Sequence, residues 1–238
     1  MQEKTYKMID LNLSSGTIWA DRNVGAENPW DKGAYFSWGN VDGHAVDENG
    51  NVIDGYLFDK NAYATTLGGQ YTGSTLDAEH DAVTVNMGSE LRMPTIDETE
   101  ELVHGTDHYY IDLEGNILNN VGFIIDKSGN TTEEKIELLS SKKLRSICFV
   151  KKGEEFDYNN RSNFIEFPFA GDCDGSLLRF EGLDGGVWSS SISVGNVEYA
   201  RELSFNSGGL LGGGDSISCA RYYGQSVRGV TSNNKIKK

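Results

Sequence analysis

The stretch IDLNLSSGTIWA, residues 9–20, has short runs of alternating apolar residues on either side of Ser14-Ser15-Gly16. Alternation with a period of two is typical of β-strands, and a Ser-Ser-Gly break is typical of a turn, so this stretch predicts a strand, a turn and a second strand. The aromatic segment GAYFSWG, residues 33–39, predicts another short strand. From residue 145 onward, segments such as RSICFVK, SNFIEFPFAG and GGVWSSSISV continue the pattern. The chain is therefore predicted to be rich in β-structure.

Helix signals are few and lie in the middle of the chain. Residues 77–87 begin with acidic side chains, which favour a helix N-terminus. Residues 95–104 begin with a Thr-x-x-Glu capping box made by Thr95 and Glu98, which predicts a helix start. A similar pattern predicts a third helix over 131–143. Many strands with a few helices define the α+β fold class.

No change in composition marks a linker, so we expect a single domain over residues 1–230. The third predicted helix, residues 131–143, lies between hairpin-like segments and looks like an insertion within that domain. Residues 231–238 form a basic tail that we expect to be frayed.

One predicted strand specifies which side chains face the core. In residues 197–205, one face carries Val197, Tyr199, Arg201, Leu203 and Phe205, and we expect this face to be mostly core. The residues of the other face are expected to be mostly solvated: Glu198, Ala200, Glu202, Ser204 and Asn206.

Composition excludes several classes of function. The chain has 238 residues, with 21 Lys plus Arg against 36 Asp plus Glu, which gives a formal charge of −15. Binding to nucleic acid or to an anionic membrane requires a basic face, so neither is expected. No apolar run is long enough to span a membrane, and the opening MQEKTYKMIDLNLSSG lacks a basic start followed by an apolar run. We therefore expect a protein that matures in the cytoplasm.

Residues that could carry chemistry do not form a recognisable constellation. Cys148, Cys173 and Cys219 are odd in number and widely spaced, so they predict free thiols. The four histidines lie beside acidic stretches and are predicted to be solvated: His44, His80, His104 and His108. Turn-like segments rich in Asp, Gly and Asn lack the complete calcium loop, so they predict turns: 46–54, 112–118, 126–130 and 171–175. No catalytic residue, metal ligand or cofactor is predicted.

Five blocks in order nevertheless share one pattern, and they lie at 14–40, 77–102, 165–171, 187–191 and 221–230. Together they resemble the Fibrobacter succinogenes major paralogous domain family, which is common in Bacteroidetes and their phages. The resemblance implies a C-type-lectin-like fold, in which two helices flank small twisted antiparallel sheets with long irregular loops. It also implies a relation to formylglycine-generating enzymes and to the variable proteins of diversity-generating retroelements. Residues 113–160 are longer and more charged than the family pattern implies, so we interpret them as a family-atypical insertion within the domain.

Within such a fold, four large side chains are expected to have structural roles. Trp19, Trp38 and Trp188 would serve as internal anchors for a scaffold rich in loops. Arg228 would be a buried or half-buried charge, so it should have a carboxylate or carbonyl partner.

The resemblance also implies that the C-terminal third carries the recognition surface. The expected ligand-binding residues are Asn196, Tyr199, Arg201, Asn206, Arg221, Tyr222 and Tyr223. Tyrosine offers a rigid amphipathic surface, and Asn and the serines at 189–191 offer adaptable hydrogen bonds. The alternative, that Tyr199 and Arg201 pack within the sheet and the serines cap turns, stays open.

These expectations favour a noncatalytic recognition or structural module. The first hypothesis is a bacteriophage virion protein, such as a fibre, tail-tip or capsid decoration, which binds a host-surface glycan or protein, contacts other virion proteins and forms a homo-oligomer. The alternative is a Bacteroidetes cell-surface adhesin or fimbrial-type protein. A formylglycine-generating-type oxidase is third, because Cys219 has no second cysteine close by in the sequence.

Overall fold

The computed structural model describes residues 6–119, 143–206, 209–211 and 218–232. In these residues the chain forms four short α-helices and thirteen β-strands, and the strands make small antiparallel sheets. This mixture confirms the predicted α+β class. Residues 131–142 of the third predicted helix, the segment 126–130 and most of the basic tail lie outside the described residues.

The first sheet joins the two ends of the described chain. Strands β1 (Met8–Asp10) and β2 (Thr17–Asn23) confirm the predicted strand, turn and strand. The last strand, β13 (Arg228–Ser232), pairs antiparallel with β2 and places Val230 opposite Trp19. Trp19 is fully buried there against Phe167, so the pairing of the chain ends is part of the core.

A second sheet has the strand order β4-β3-β5-β6. Its strands are β3 (Thr106–Asp112), β4 (Ile117–Asn119), β5 (Leu144–Lys151) and β6 (Phe164–Pro168). Ile147 and Phe149 of β5 belong to the main core cluster, together with Trp19. The sequence interpreted as an insertion, 113–160, thus supplies β4 and the buried strand β5, which extend the sheet and build the core.

The third sheet is centred on β10. Strand β10 (Tyr199–Asn206) pairs with β9 (Asp184–Ile192), β11 (Gly209–Leu211) and β12 (Ser218–Ala220). Strands β7 (Asp172–Asp174) and β8 (Leu177–Arg179) form a two-stranded hairpin. The turn predicted at 171–175 is therefore wrong in its bounds, because most of that segment is strand β7 and the chain turns after it, at residues 175–176.

The predicted alternation along 197–205 is only partly right. Leu203 and Phe205 are fully buried as expected, but Val197 is 70% exposed and Glu202 is buried. The register shifts between Ala200 and Glu202, so the alternation of faces is interrupted at this point. Ala200 is buried as well, which contradicts the prediction of a solvated face. Burial raises the pKa of Glu202 to about 8.

The helices are short, and their caps explain where they start. Helix α4 (Ile96–Gly105) begins with the predicted capping box, in which Thr95 accepts from the Glu98 amide and the Glu98 carboxylate accepts from the Thr95 amide. Helix α3 (Ala82–Met87) begins five residues later than predicted, because the Asp81 carboxylate caps the amides of residues 83 and 84. Two short helices were not predicted: α1 (Lys60–Tyr63) and α2 (Leu67–Gln70).

Two further sequence predictions are wrong. Residues 33–39 do not form a strand, because only isolated bridges of Tyr35 and Phe36 connect them to other segments. His44 is buried rather than solvated, since its ring stacks on Tyr56 at 3.9 Å and its Nδ1 lies 2.7 Å from Asp54. His108 is not solvated either, because its ring packs edge-on against Phe149 and burial lowers its pKa to about 4. By contrast, the turn at 46–54 is confirmed by the bridge between its flanking valines.

The predicted anchors are buried as expected. Trp38 and Trp188 are 0% exposed, and each indole N–H donates to a main-chain carbonyl at 2.8 Å. Arg228 is also 0% exposed, with Nε donating to Asn23 and Nη1 donating to the carbonyl of Glu166 at 2.8 Å. The expected carbonyl partner of Arg228 is therefore confirmed.

Candidate ligand-binding groove

A groove of about 470 Å³ opens between helices α1 and α2, the loop between β9 and β10, and the turn after β12. Four tyrosines line it: Tyr63, Tyr71, Tyr199 and Tyr222. Clefts of this size with aromatic walls and a few polar groups are the usual form of a ligand site. Three of the predicted binding residues meet in it, namely Tyr199, Arg221 and Tyr222.

The wall made by α1 and α2 is built by local capping. The Asp59 carboxylate accepts from the amides of residues 61 and 62, and the Thr66 hydroxyl accepts from the amide of Gly69. Gly69 is required where the two helices meet, because an added Cβ would lie 1.9 Å from the carbonyl oxygen of Tyr63. The close approach of α1 and α2 therefore depends on a missing side chain.

Arg221 connects the wall made by α1 and α2 to the β9–β10 loop. Its Nη2 donates to the carbonyls of Gly68 at 2.6 Å and Tyr71 at 3.0 Å, and its Nη1 donates to the carbonyl of Val197 at 3.0 Å. The guanidinium also lies 4.6 Å from the centre of the Trp38 ring. Because its donors are directed at main-chain carbonyls, Arg221 holds the shape of the groove and presents little free charge to a ligand.

The rim carries the groups that a ligand would meet first. Tyr199 is 36% exposed, and the ammonium of Lys60 lies 2.5 Å from the Glu198 carboxylate on the opposite side. A hydrogen bond with Tyr223 raises the pKa of Tyr222 to about 12, so its phenol is neutral at pH 7. The rim thus offers tyrosine surfaces and one exposed ion pair.

The other predicted residues lie outside the groove. Asn196 is exposed on the β9–β10 loop, and its side-chain oxygen accepts from the amide of Glu198. Tyr223 packs edge-on against Tyr222 with ring centres 4.7 Å apart, just beside the groove. Arg201 is buried within β10, and Asn206 ends the same strand opposite Asp184.

The serines at 189–191 mainly support the backbone. Ser189 and Ser190 are buried, and the Ser189 hydroxyl donates to the carbonyl of Arg201 at 2.8 Å. Ser191 accepts from the amide of Ile96, at the start of α4. These contacts connect β9 to β10 and to the helix, as in the alternative in which the serines have structural roles.

Sequence reasoning missed the half of the groove that comes from residues 60–72. Lys60, Tyr63 and Tyr71 lie in a segment without clear periodicity, and α1 and α2 each span only four residues. The sole signals available were the capping side chains Asp59 and Thr66, which precede each helix. Nothing in the sequence linked them to residues 199–222.

The three thiols and the carboxylates of the predicted Asp/Gly turn do not form a reactive site. Burial raises the pKa of the Cys148 and Cys219 thiols and raises that of Cys173 to about 12, which disfavours thiolates at neutral pH. Asp172 and Asp174, at the predicted Asp/Gly turn, bind Arg179 at 2.7 and 2.5 Å. Within the described ranges, no cluster of three or more His, Cys, Asp or Glu side chains is arranged to hold a metal ion.

No family model, no curated protein and no solved structure matches the chain. In the part of the chain that the structure describes, no helix is both long and apolar enough to cross a membrane.

Proposed function

We propose that the chain is a noncatalytic recognition module with a C-type-lectin-like fold, and that the groove of Tyr63, Tyr71, Tyr199 and Tyr222 is its ligand seat. The observation that carries the proposal is the meeting, in one groove, of tyrosines from segments that are far apart in the sequence. Tyrosine gives a rigid surface with one hydrogen-bonding tip, which suits binding at low entropic cost.

The arrangement of charge favours binding over chemistry. The charged side chains lining the groove are Lys60, Glu198 and Arg221. Lys60 and Glu198 neutralise each other, and Arg221 is directed at carbonyls. These partners leave none of the three side chains free to act as a nucleophile or a general base. A groove of this kind can hold a ligand through contact area and hydrogen bonds.

The ligand we propose is a glycan or protein on a host cell surface, and the molecule that displays the module is a phage particle. The resemblance of the five sequence blocks to a family found in phages of Bacteroidetes supports this assignment. In that setting the module would contact other virion proteins and assemble as a homo-oligomer. The charge of −15 would keep the copies apart and soluble before assembly.

A binding screen tests the ligand seat. The purified protein is applied to a glycan array and to a panel of bacterial surface proteins, alongside Tyr199→Ala and Tyr222→Ala. A matched control, Phe180→Ala, removes another half-exposed aromatic side chain outside the groove. We expect a ligand whose binding is lost in the two tyrosine variants and kept in the control. Equal binding by all four proteins would rule out the groove as the seat.

Location is tested separately. Peptide mass spectrometry of purified phage particles should detect the chain if it is a virion protein. Its absence from particles, together with its presence in the outer-surface fraction of Bacteroidetes cells, would replace the virion assignment by the adhesin alternative.

A further inference from the structure

A second cluster of aromatic and basic side chains lies outside the groove, and we call it the arginine cluster: Trp30, Arg145, Tyr158 and Arg161. Trp30 comes from the loop after β2, Arg145 from β5, and the other two from the β5–β6 loop. The guanidinium carbons of Arg145 and Arg161 lie 5.9 and 5.2 Å from the centre of the Trp30 ring. Trp30 is 40% exposed, and each arginine side chain is 28% exposed.

A single buried carboxylate organises the arginine cluster. Glu166 accepts from Arg161 Nη1 at 2.6 Å, from Arg145 Nη2 at 3.2 Å and from the Tyr158 hydroxyl at 2.9 Å. Its other contact is the hydroxyl of Ser146 at 2.5 Å. The two arginines are therefore held in fixed positions, and 28% of each side chain is exposed to solvent. Such preorganised forks bind carboxylates and similar oxyanions with little further ordering.

The charges at this place do not balance. The guanidinium groups of Arg145 and Arg161 share the single carboxylate of Glu166, which leaves an excess of 2 − 1 = 1 positive charge. The buried Arg228 guanidinium donates to the main-chain carbonyl of Glu166, and the charge of Asp21 favours its charged form. The Lys7 ammonium, 3.4 Å from the carbonyl of Arg161, adds another cation at the edge. The exposed carboxylates of the β5–β6 loop do not pair with the cluster in any observed contact; Asp157, for example, accepts from the amide of residue 159.

A similar cluster around Arg179 carries an excess of negative charge. The Arg179 guanidinium lies 5.4 Å from the ring of Phe180, which is 50% exposed, and 4.9 Å from that of Tyr223. Two carboxylates, Asp172 and Asp174, pair with this one guanidinium. The chain therefore offers a matched arginine and aromatic pair with excess negative charge, which should not attract anions.

We propose that the arginine cluster is a binding site for an acidic saccharide, a pyranose that bears a carboxylate. The carboxylate would accept from guanidinium N–H groups of Arg145 and Arg161 that do not donate to Glu166. The C–H face of the sugar ring would pack against the exposed part of Trp30. Trp, Tyr and Arg are the residue types most enriched where binding energy concentrates, and all three meet here. A locally positive surface on a molecule of charge −15 also favours an anionic ligand over a neutral one.

An acidic peptide shares the charge of such a sugar but fits the site less well. A flexible peptide must order several backbone and side-chain torsions to place one carboxylate, whereas a pyranose ring is already rigid. An acidic sugar also presents a flat apolar face beside its carboxylate, which matches an indole beside two guanidinium groups. The saccharide is therefore the ligand class that we argue, and the peptide becomes an outcome of the test.

The fluorescence of Trp30 can report ligand binding at the arginine cluster. Of the four tryptophans, all within the described residues, Trp19, Trp38 and Trp188 are 0% exposed and Trp30 is 40% exposed. Acrylamide should therefore quench chiefly the fluorescence of Trp30. We expect an oligogalacturonate to protect this fluorescence from quenching at about 50 mM salt, and we expect the protection to weaken as salt screens the charges. The fully methyl-esterified oligogalacturonate, which has the same rings without charge, should not protect.

Calorimetric titration of variants completes the test. Trp30→Ala should weaken oligogalacturonate binding about tenfold through loss of the aromatic surface. Arg161→Lys keeps a charge near Glu166 but removes the planar fork, and it should weaken binding by about the same factor. Phe180→Ala should bind like the parent protein, and Tyr199→Ala should too, because the groove is a separate site. Thermal melts show whether each variant is folded.

Four results would overturn the proposal. They are equal protection by the methyl ester, no protection by the acid at low salt, equal weakening in Phe180→Ala, and binding of a poly-glutamate peptide as tight as that of oligogalacturonate. If Trp30→Ala fails to fold, Arg161→Lys and the quenching of the parent protein still decide the question. Failure here leaves the groove proposal standing, since neither variant alters a residue that lines the groove.

Discussion

Replacing Arg221 by methionine should loosen the groove and destabilise the whole protein. Three hydrogen bonds from Arg221, to the carbonyls of Gly68, Tyr71 and Val197, would be lost, and the Gly68 carbonyl would keep the Tyr71 amide as a donor. Hydrogen bonds to a charged group contribute about 1.5–3 kcal/mol each, so the low end of the range gives about 4.5 kcal/mol for three. Methionine avoids the desolvation cost of burying a guanidinium, which offsets part of this loss. We therefore expect the free energy of unfolding to fall by about 3 kcal/mol.

The assay is urea unfolding combined with hydrogen exchange. The β9–β10 loop should exchange faster in Arg221→Met, and above all the amides of Glu198 and Tyr199, because their acceptors on Asn196 belong to the loop that Arg221 fastens through Val197. Arg221→Lys keeps the charge with fewer donors and should lose about half as much stability.

Arg179→Met provides the matched control. The Arg179 side chain is 33% exposed and its guanidinium pairs with partly exposed carboxylates, so its removal should cost about 1 kcal/mol or less. A loss below about 1 kcal/mol for Arg221→Met, or unchanged exchange at Glu198 and Tyr199, would refute the view that this arginine fastens the groove.

Two further predictions concern Gly69 and His108. Gly69→Ala should lower the free energy of unfolding by about 2 kcal/mol or more and abolish groove binding, because the new Cβ would lie 1.9 Å from the Tyr63 carbonyl; retained binding in a calorimetric titration would contradict this. Burial lowers the pKa of His108 from 6.5 to about 4, so the unfolded chain binds the extra proton first as the pH falls. Stability should therefore decline between about pH 6.5 and pH 4, by up to about 3 kcal/mol, and urea midpoints should show a flatter pH dependence in His108→Gln.

Local chemistry in the sequence was sufficient for several elements. The capping box of Thr95 and Glu98 predicted the start of α4, because both hydrogen bonds close within three residues. The strand and turn at 9–20 followed from the alternation of apolar residues. The burial of the tryptophans and of Arg228 beside a carbonyl followed from what a large or charged side chain needs when it is inside a protein.

The inward and outward faces of strands and the shortest helices were harder to predict, because contacts with distant parts of the chain determine them. The β-bulge near Arg201 changes which side chains of β10 face inward, and it depends on the register with β9. The aromatic segment 33–39 has the sequence pattern of a strand, yet it makes only isolated bridges. The four-residue helices α1 and α2 have no amphipathic period long enough to recognise.

The sequence by itself determined the α+β class, the helix cap, the main turns and the kinds of side chain available for binding. Only the tertiary structure brought Tyr63 and Tyr71 to face Tyr199 and Tyr222, and only it placed Trp30 over arginines more than a hundred residues further along the chain. The physical reason is that capping and alternation act over a few residues, whereas a groove or a charge cluster is made by packing between distant segments. The entropic cost of bringing such segments together grows only slowly with their separation, so it does not specify which segments meet.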